Sequence, residues 1–277
     1  MRPAEVVRRG ADYLARHDVD APLPTAEQLM MSVLGADRAG IYTRREGLDT
    51  AQARRYGRLL CRRCAGTPTQ HLTGQAGFRR LVLEVRPGVF VPRPETEILV
   101  DIALQMMAGH QAPVVADVGT GAGAVALAIR DERPDTRVVA TDRSPEATDL
   151  ARANAARLQL DVEVFEGDLL DALPETLRGA VDLVVSNPPY VDPSEETLLP
   201  AEVRADPPMA LFGGLEVYER LFREAGRWLS AGGGVAVEVD PRSAADVADA
   251  AARAGFLDPS IHPDLAGRER VVAARRP

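Results

Sequence analysis

The segment between residues 113 and 186 alternates short apolar stretches with longer amphipathic ones, and this alternation restricts the fold more than any other feature. "PVVADV", "RVVATD", "VEVFEGD" and "VDLVVS" are typical of strands, whereas "GAVALAIRDE" and "PEATDLARANAARL" between them are typical of helices. Parallel strands need crossover connections, which usually contain a helix. We therefore predict an α/β fold with a parallel sheet covered by helices on both faces. The late stretches "GGVAVEV" and "RERVVAARR" are expected to add strands, including an antiparallel edge.

Residues 1–75 have a different pattern, with helical periodicity and no alternation of strands and helices. Apolar residues recur at helical spacing over 4–16, 25–34 and 50–64. Thr25 is expected to cap the second of these helices and Gly35 to end it. A hairpin should follow, because "FRRLVLEV" and "GVFV" flank the turn-forming pair Pro87-Gly88. The predicted domains are a small helical domain at 1–75, a hairpin linker at 76–94 and an α/β domain at 95–277.

Charge is divided unevenly along the chain. Residues 1–90 carry 15 Arg against 9 Asp and Glu, a balance of +6, whereas the remainder carries 18 Arg against 32 acidic residues, a balance of −14. The two parts are therefore expected to meet different partners. No aromatic platform accompanies the arginines, so direct binding of nucleic acid is not expected.

Compartment and metal content are also restricted by the sequence. No apolar run approaches the roughly 20 residues that a membrane-spanning helix needs. No signal peptide is recognisable either, so we expect a cytoplasmic protein. The only cysteines, Cys61 and Cys64, form a CxxC pair that no second pair or histidine cluster completes into a zinc site, and no metal is expected.

A glycine-rich turn, "ADVGTGAGAVAL", follows the first strand of the alternating segment and opens the next helix. Glycines at such a turn allow positive φ and let a ligand approach the main chain. Asp142 ends the next strand, 23 positions after Gly119, where an acid can accept hydrogen bonds from ribose hydroxyls. The pair indicates an adenosine-containing ligand. Two alternatives remain, because Gly119, Gly121 and Ala124 also fit a dinucleotide fingerprint and Asp142 also fits a helix cap.

Two more polar residues stand at strand ends. Asp168 follows "VEVFEG" and Asn187 follows "VDLVVS". Because the carboxyl ends of parallel strands meet at one edge of a sheet, we expect one crevice to contain four of these side chains, those of Asp117, Asp142, Asp168 and Asn187. Asp168 would accept from an adenine amino group, with Leu169 packed on the ring, or it would be an ordinary turn residue.

The stretch "VVSNPPYV" ends a strand with Pro188 and Pro189, which lack a backbone N–H and stiffen the loop. An amide or guanidine nitrogen is a poor nucleophile because its lone pair is delocalised, so an enzyme must orient it at an electrophile. The side-chain oxygen of Asn187 and the carbonyl of Pro188 can accept both N–H groups of a planar NH2, and Tyr190 offers a face for stacking. The stretch predicts a holder for a planar nitrogen, although Asn-Pro-Pro also fits a turn.

With these motifs, the sequence resembles the HemK/PrmC family of protein-glutamine methyltransferases, which use S-adenosylmethionine to methylate the glutamine amide of the Gly-Gly-Gln motif in peptide-chain release factors. The matching stretches are "TPTQHLTGQAGFRRL", "VFVPRPETEILV", "ADVGTGAGAVAL", "VVSNPPYV", "DPPMALFGG" and "AGRERVVAARR", and "AEQLMMSVLGADRAGIY" has a weaker likeness. The sequence departs from the family where Gly214 runs straight into "LEVYERL", and where Asp240 and Ser243 replace the usual glycine and glutamine.

The resemblance implies a Rossmann-like methyltransferase domain, S-adenosylmethionine as cofactor, and a release factor as protein substrate docked by the basic helical domain. The cofactor-binding residues would be Asp117, Gly119, Thr120, Gly121, Ala122, Gly123, Asp142, Asp168, Leu169 and Asn187. The catalytic residues would be Asn187, Pro188, Pro189 and Tyr190, acting by direct displacement.

The residues are compatible with two alternatives to this function. One is a related enzyme that N-methylates a free small molecule with an amide or guanidine group, such as glutamine or arginine. The other is a dinucleotide-binding dehydrogenase, or a cofactor-sensing protein without turnover. The loop at 187–190 argues against the second alternative, because neither a dehydrogenase nor a sensor needs a holder for a planar nitrogen.

Overall fold

A computed structural model describes residues 1–277, and the chain divides into two compact units. The smaller unit comprises Met1–Gln75 and Leu199–Ala205, and the larger one comprises Ala76–Leu198 and Asp206–Pro277. The smaller unit is therefore built from two separate stretches of sequence. No helix in the structure has the length and apolar character needed to cross a membrane.

Helices make up the first stretch of the smaller unit: α1 (Pro3–Ala15), α2 (Pro22–Leu34), α3 (Arg38–Thr43), α4 (Thr50–Cys64) and α5 (Thr69–Thr73). Their apolar faces enclose one core, in which Leu14, Leu29 and Tyr56 are almost completely buried. The second stretch joins this unit through an ion pair between Arg63 and Glu202, with 2.8 Å between Nη2 and Oε2.

Gly35 ends α2 in the left-handed conformation, as predicted, but the expected cap at Thr25 is wrong. The helix begins at Pro22 instead, because the fixed φ of proline suits the first helical turn, where its missing N–H costs nothing. α3 and α5 were not predicted, since neither is long enough to establish a helical period.

The larger unit begins with a two-stranded hairpin of β1 (Gln75–Phe78) and β2 (Leu81–Glu84). Its turn lies at Arg79, which has a φ of +51°, and not at the expected Pro87-Gly88. The predicted strand "GVFV" is not formed. The guanidinium of Arg79 anchors this turn, because it pairs with Asp101 at 2.7 Å and with Glu132.

The main sheet has seven strands in the order β5-β4-β3-β6-β7-β9-β8. They are β3 (Val114–Val118), β4 (Arg137–Asp142), β5 (Val162–Glu166), β6 (Val181–Ser186), β7 (Leu229–Glu238), β8 (Leu257–Pro263) and β9 (Glu269–Arg275). β3 to β7 are parallel to one another, whereas β9 runs antiparallel to β7 and β8 runs antiparallel to β9. The predicted α/β fold is thus confirmed, with two antiparallel strands at one edge.

Helices cover both faces of this sheet: α6 (Glu97–Met106), α7 (Ala124–Glu132), α8 (Pro145–Leu158), α9 (Pro208–Leu211), α10 (Leu215–Trp228) and α11 (Ala244–Arg253). Short 3-10 helices lie at Pro94–Thr96, Glu175–Leu177, Pro193–Leu198 and Pro241–Ser243. Successive residues of a strand point to opposite faces. Accordingly, Ala116 packs in the core that includes α10 and α11, whereas Val115 packs in the core that includes α6 and α7.

Candidate active site

The order of the strands creates a crevice at the carboxyl ends of β3 and β6. The chain leaves β3 toward β4 and β5 on one side and returns to β6 on the other side. Open α/β sheets bind ligands at such a reversal of strand order, because the connections on either side diverge there. Asp117 lies in β3 and Asn187 directly follows β6, so both predicted site residues lie at this reversal.

The glycine-rich turn is attached to the end of β4 by its main chain. The backbone N–H groups of Gly119 and Thr120 donate to the carbonyl of Thr141 at 2.8 and 3.0 Å. Gly119 and Gly121 have φ values of +74° and +57°, which residues other than glycine rarely adopt. A Cβ atom added to either glycine would meet no protein atom within 4 Å. The turn therefore leaves its outer surface open, as a ligand lying against the main chain requires.

Asp142 holds the turn and the next helix with its two carboxylate oxygens. Oδ2 accepts from the backbone N–H of Gly121 and Oδ1 from that of Ser144, both at 2.9 Å. Burial raises the pKa of this carboxyl above its ordinary value, against the opposing effect of these hydrogen bonds. Each carboxylate oxygen has a further lone pair, so Asp142 can still accept hydrogen bonds from a ligand.

Asp117 is almost completely buried, and its hydrogen bonds are to other residues of the protein. Its Oδ2 accepts from the hydroxyl of Thr120 at 2.6 Å and from the backbone N–H of Ala126 at 3.1 Å. Burial raises its pKa to about 6, although both hydrogen bonds favour the charged form. Asp117 therefore ties the glycine-rich turn to the first turn of α7, and a direct contact with the cofactor stays a prediction.

Asp168 lies on the exposed side of the predicted site. Its Oδ2 pairs with Nη2 of Arg220 at 2.7 Å, and about half of each side chain is accessible to solvent. The neighbouring Leu169 has a φ of +47°, an uncommon conformation for a branched residue that is often found at functional sites. Its half-buried side chain packs against the core that includes α10. Binding of adenine by these two residues stays a prediction.

In the loop after β6, the nitrogen and the oxygen of the Asn187 side-chain amide differ in their hydrogen bonding. Nδ2 of Asn187 donates to the hydroxyl oxygen of Thr96 at 3.1 Å, while Oδ1 accepts no hydrogen bond from the protein. The carbonyl of Pro188 is not engaged in the backbone hydrogen bonds around the loop either. Two acceptors on this loop are therefore available for the two N–H groups of a planar NH2.

Two residues that sequence reasoning missed support the far end of this loop. The hydroxyl of Tyr190 donates to Oε1 of Glu238 at 3.4 Å, and burial raises the pKa of both groups, that of Glu238 to about 7. Gly213 packs so closely on the carbonyl of Pro189 that an added Cβ would lie 2.3 Å from its oxygen. Glu238 had a signal in the sequence, since it is an ionisable residue within the apolar stretch "VAVEV".

The smaller unit has a basic cavity of about 270 Å³ on its surface. Four arginines and one glutamate line it together with three other residues: Arg2, Arg8, Arg44 and Arg45 with Glu5, and Ala4, Tyr42 and Thr43. Arg2, Arg8 and Arg45 are exposed, and none of them forms a salt bridge. The cavity thus has an excess of positive charge, because four arginines outnumber its one glutamate, and we call it the arginine cavity.

Comparison with known families finds two matches in the chain. The family described as Methyltransferase small domain matches residues 81–242, and the one described as PrmC N-terminal domain matches residues 5–74. The two matches cover most of the α/β region and nearly all of the first helical stretch.

Curated relatives match along the whole length. The chain is 40% identical to the release factor glutamine methyltransferase of Deinococcus radiodurans, over 100% of this chain and 99% of that protein. It is 42% identical to the protein of the same name from Mycolicibacterium smegmatis, over 95% and 94%. The solved structure of ribosomal protein L11 methylase from Lactobacillus delbrueckii subsp. bulgaricus aligns with a TM-score of 0.51 at 23% identity, over 70% of this chain and 84% of that one, and supports the fold alone.

Proposed function

The chain belongs to the family of release factor glutamine methyltransferases, and from this premise we propose that it methylates the glutamine amide in the Gly-Gly-Gln motif of a peptide-chain release factor, with S-adenosylmethionine as methyl donor. The family resemblance expected from the motifs is confirmed. The names of these relatives give no support to a free small molecule as acceptor or to a dehydrogenase. The amide of Asn187 carries the proposal, because its nitrogen is bonded within the protein while its oxygen is free.

The residues around the glycine-rich turn fit S-adenosylmethionine. When bound, this molecule supplies an electrophilic methyl group on a positively charged sulfur. The open main chain at Gly119 and Gly121 gives room for it, and the carboxylate of Asp142 offers acceptors to ribose hydroxyls. The other proposed contacts come from the same turn and from the ends of β3, β5 and β6: Asp117, Thr120, Ala122, Gly123, Asp168, Leu169 and Asn187.

The proposed catalytic work of the protein is to orient a weak nucleophile. Oδ1 of Asn187 and the carbonyl of Pro188 accept the two N–H groups of the glutamine amide, which fixes the plane of the acceptor. Pro189 limits the motion of the loop, and the ring of Tyr190 packs against the amide plane. Holding the nitrogen in line with the methyl group replaces a rare encounter in solution by a fixed geometry, which is worth several kcal/mol of the barrier.

The arginine cavity supports a protein as the acceptor. Three exposed arginines that form no salt bridge attract the carboxylates of a partner, and a free glutamine would need no such surface. We therefore propose that acidic side chains of the release factor dock in this cavity.

Transfer of label from S-adenosylmethionine tests the proposed reaction. We expect label on an intact release factor, none on a release factor whose Gly-Gly-Gln glutamine is replaced by alanine, and none on free glutamine or arginine. Asn187→Ala should lower kcat about 100-fold, because the acceptor nitrogen loses its orientation, and this loss should exceed any loss of affinity for S-adenosylhomocysteine. Label on a free amino acid and none on the release factor would show that the proposed acceptor is wrong.

A further inference from the structure

The loop at 187–190 is supported by a buried carboxylate that lies outside its motif. Glu238 ends β7 and is only 1% exposed. Oε1 accepts from the hydroxyl of Tyr190 at 3.4 Å, and the main-chain carbonyl of Glu238 accepts from the hydroxyl of Tyr218 at 3.0 Å. Oε2 is buried without a hydrogen bond of ordinary geometry. An isolated acceptor at this depth is costly unless a nearby donor serves it.

Thr96 is the donor that can serve this carboxylate. It is buried at the end of the 3-10 helix Pro94–Thr96, and the proximity of its hydroxyl to the carboxylate of Glu238 lowers the pKa of that carboxyl. The same hydroxyl oxygen accepts the N–H of Asn187 at 3.1 Å. Thr96 therefore stands between Glu238 and Asn187.

The donor and acceptor groups of the Thr96 hydroxyl decide which end of the Asn187 amide faces it. A threonine hydroxyl has one proton and two lone pairs. If the proton is donated to the carboxylate, only lone pairs remain for Asn187, and the amide must present its NH2 group to Thr96. The amide oxygen then points to the opposite side. Without the carboxylate, the hydroxyl proton could turn to the amide oxygen, and the two orientations of the amide would be closer in energy.

We propose that Glu238, acting through the hydroxyl of Thr96, fixes the side-chain amide of Asn187 in the orientation that leaves its oxygen free for the acceptor nitrogen. Glu238 and Thr96 are thus positioning residues, because they act through Asn187. The value of the arrangement for turnover rests on the proposed function, whereas the orientation of the amide is a property of the protein alone.

Several ionisable groups surround Glu238. Glu95 precedes Thr96 and raises the pKa of Glu238, whereas Arg270 on β9 and the hydroxyls of Thr96 and Tyr190 lower it. Burial outweighs them all and raises the pKa to about 7. Because the charged form orients Asn187, kcat should increase as the pH rises through about 7 and should decrease as the pH falls below it.

A pair of substitutions at Thr96 tests whether this positioning of Asn187 affects turnover. Thr96→Val keeps the shape but removes the hydroxyl, and kcat should fall about tenfold or more. KM for the release factor and the affinity for S-adenosylhomocysteine should stay within about threefold of the wild-type values. Thr96→Ser restores the hydroxyl and should keep kcat within about threefold. A valine variant with wild-type kcat, or a folded serine variant as impaired as the valine variant, would overturn the proposal.

An NMR titration tests the orientation without any acceptor. In protein labelled with ¹⁵N-asparagine, the side-chain signals of Asn187 should change with pH around the pKa of Glu238, about 7. The change should vanish in Glu238→Gln and in Thr96→Val. If the side-chain signals of Asn187 did not change with pH in the wild-type protein, the proposal would be overturned. A normal titration without methylation of a release factor would instead count against the proposed function alone.

Discussion

At the scale of single residues, Asp142 has both a structural role and a proposed role in binding. Its two oxygens already hold Gly121 and Ser144, so the carboxylate is fixed before a ligand arrives. A fixed acceptor binds more tightly than a mobile one, because less conformational entropy is lost on binding. The residue that orders the turn is therefore also the one expected to select the ribose.

Asp142→Ala should weaken binding of S-adenosylhomocysteine by about 10- to 100-fold, since a hydrogen bond to a charged group is worth about 1.5 to 3 kcal/mol. Isothermal titration calorimetry measures this loss. Ser144→Ala is the matched control, because Ser144 caps α8 by accepting from the N–H of Ala147 at 3.2 Å. It should cost about 1 kcal/mol of stability and leave affinity unchanged. Equal affinity for wild type and Asp142→Ala would remove Asp142 from the binding site.

At the scale of elements, the loop at 187–190 is fixed by the chain that passes beside it. Val191 and Phe212 form an isolated parallel bridge, and Gly213 continues from it. The backbone N–H of Gly213 donates to the carbonyl of Val191 at 3.1 Å. The stretch "ALFGG" is thus a support for the loop at 187–190, and glycine at 213 is required by the close approach of the carbonyl of Pro189.

Gly213→Ala should displace this loop, because the new Cβ would lie 2.3 Å from the carbonyl oxygen of Pro189. We expect a loss of about 1 to 3 kcal/mol in stability from overpacking and a fall in kcat larger than any change in affinity for S-adenosylhomocysteine. Gly226→Ala is the control, since α10 has open space there and alanine should stabilise the helix by about 0.5 to 1 kcal/mol. Unchanged kcat and stability in Gly213→Ala would contradict the supporting role of this stretch.

The elements also differ in how well their sequences predict them. β3 to β6 and α7 and α8 were predicted nearly to their ends, because each has a complete hydrophobic period and a clear stop. β8 was missed, since "LDPSIHP" contains prolines and an aspartate and becomes a strand only by pairing with β9. Thr96 was missed for a similar reason, because its role depends on Asn187, which is distant in sequence. Local patterns could not reveal either one.

At the scale of the whole molecule, charge is separated between the two ends of the chain, and the arginine cavity belongs to the basic end. Attraction between exposed charges extends over about 8 to 10 Å near physiological ionic strength and weakens as salt is added. A partner docked by such charges should therefore bind less well in high salt, even where the chemistry of methyl transfer is unchanged.

The double variant Arg8→Glu with Arg45→Glu should raise KM for an intact release factor about tenfold or more, because it places acidic side chains in the cavity that should bind acidic side chains. Turnover of a short Gly-Gly-Gln peptide should not change. The control is Arg54→Glu with Arg55→Glu, which alters two exposed arginines of α4 and the net charge by the same amount. An equal effect of both variants would mean that overall charge, and not the cavity, attracts the release factor.

The division of the chain into units has a practical consequence for dissecting the protein. Because Leu199–Ala205 belongs to the smaller unit, a recombinant fragment that ends at residue 75 lacks Glu202, the ion-pair partner of Arg63. The complementary fragment that begins at residue 76 keeps Leu199–Ala205 but lacks the helices of the unit to which this segment belongs. No single cut in the polypeptide releases both units intact, so a truncation could not separate the loss of the proposed docking surface from damage to the chain that follows Tyr190.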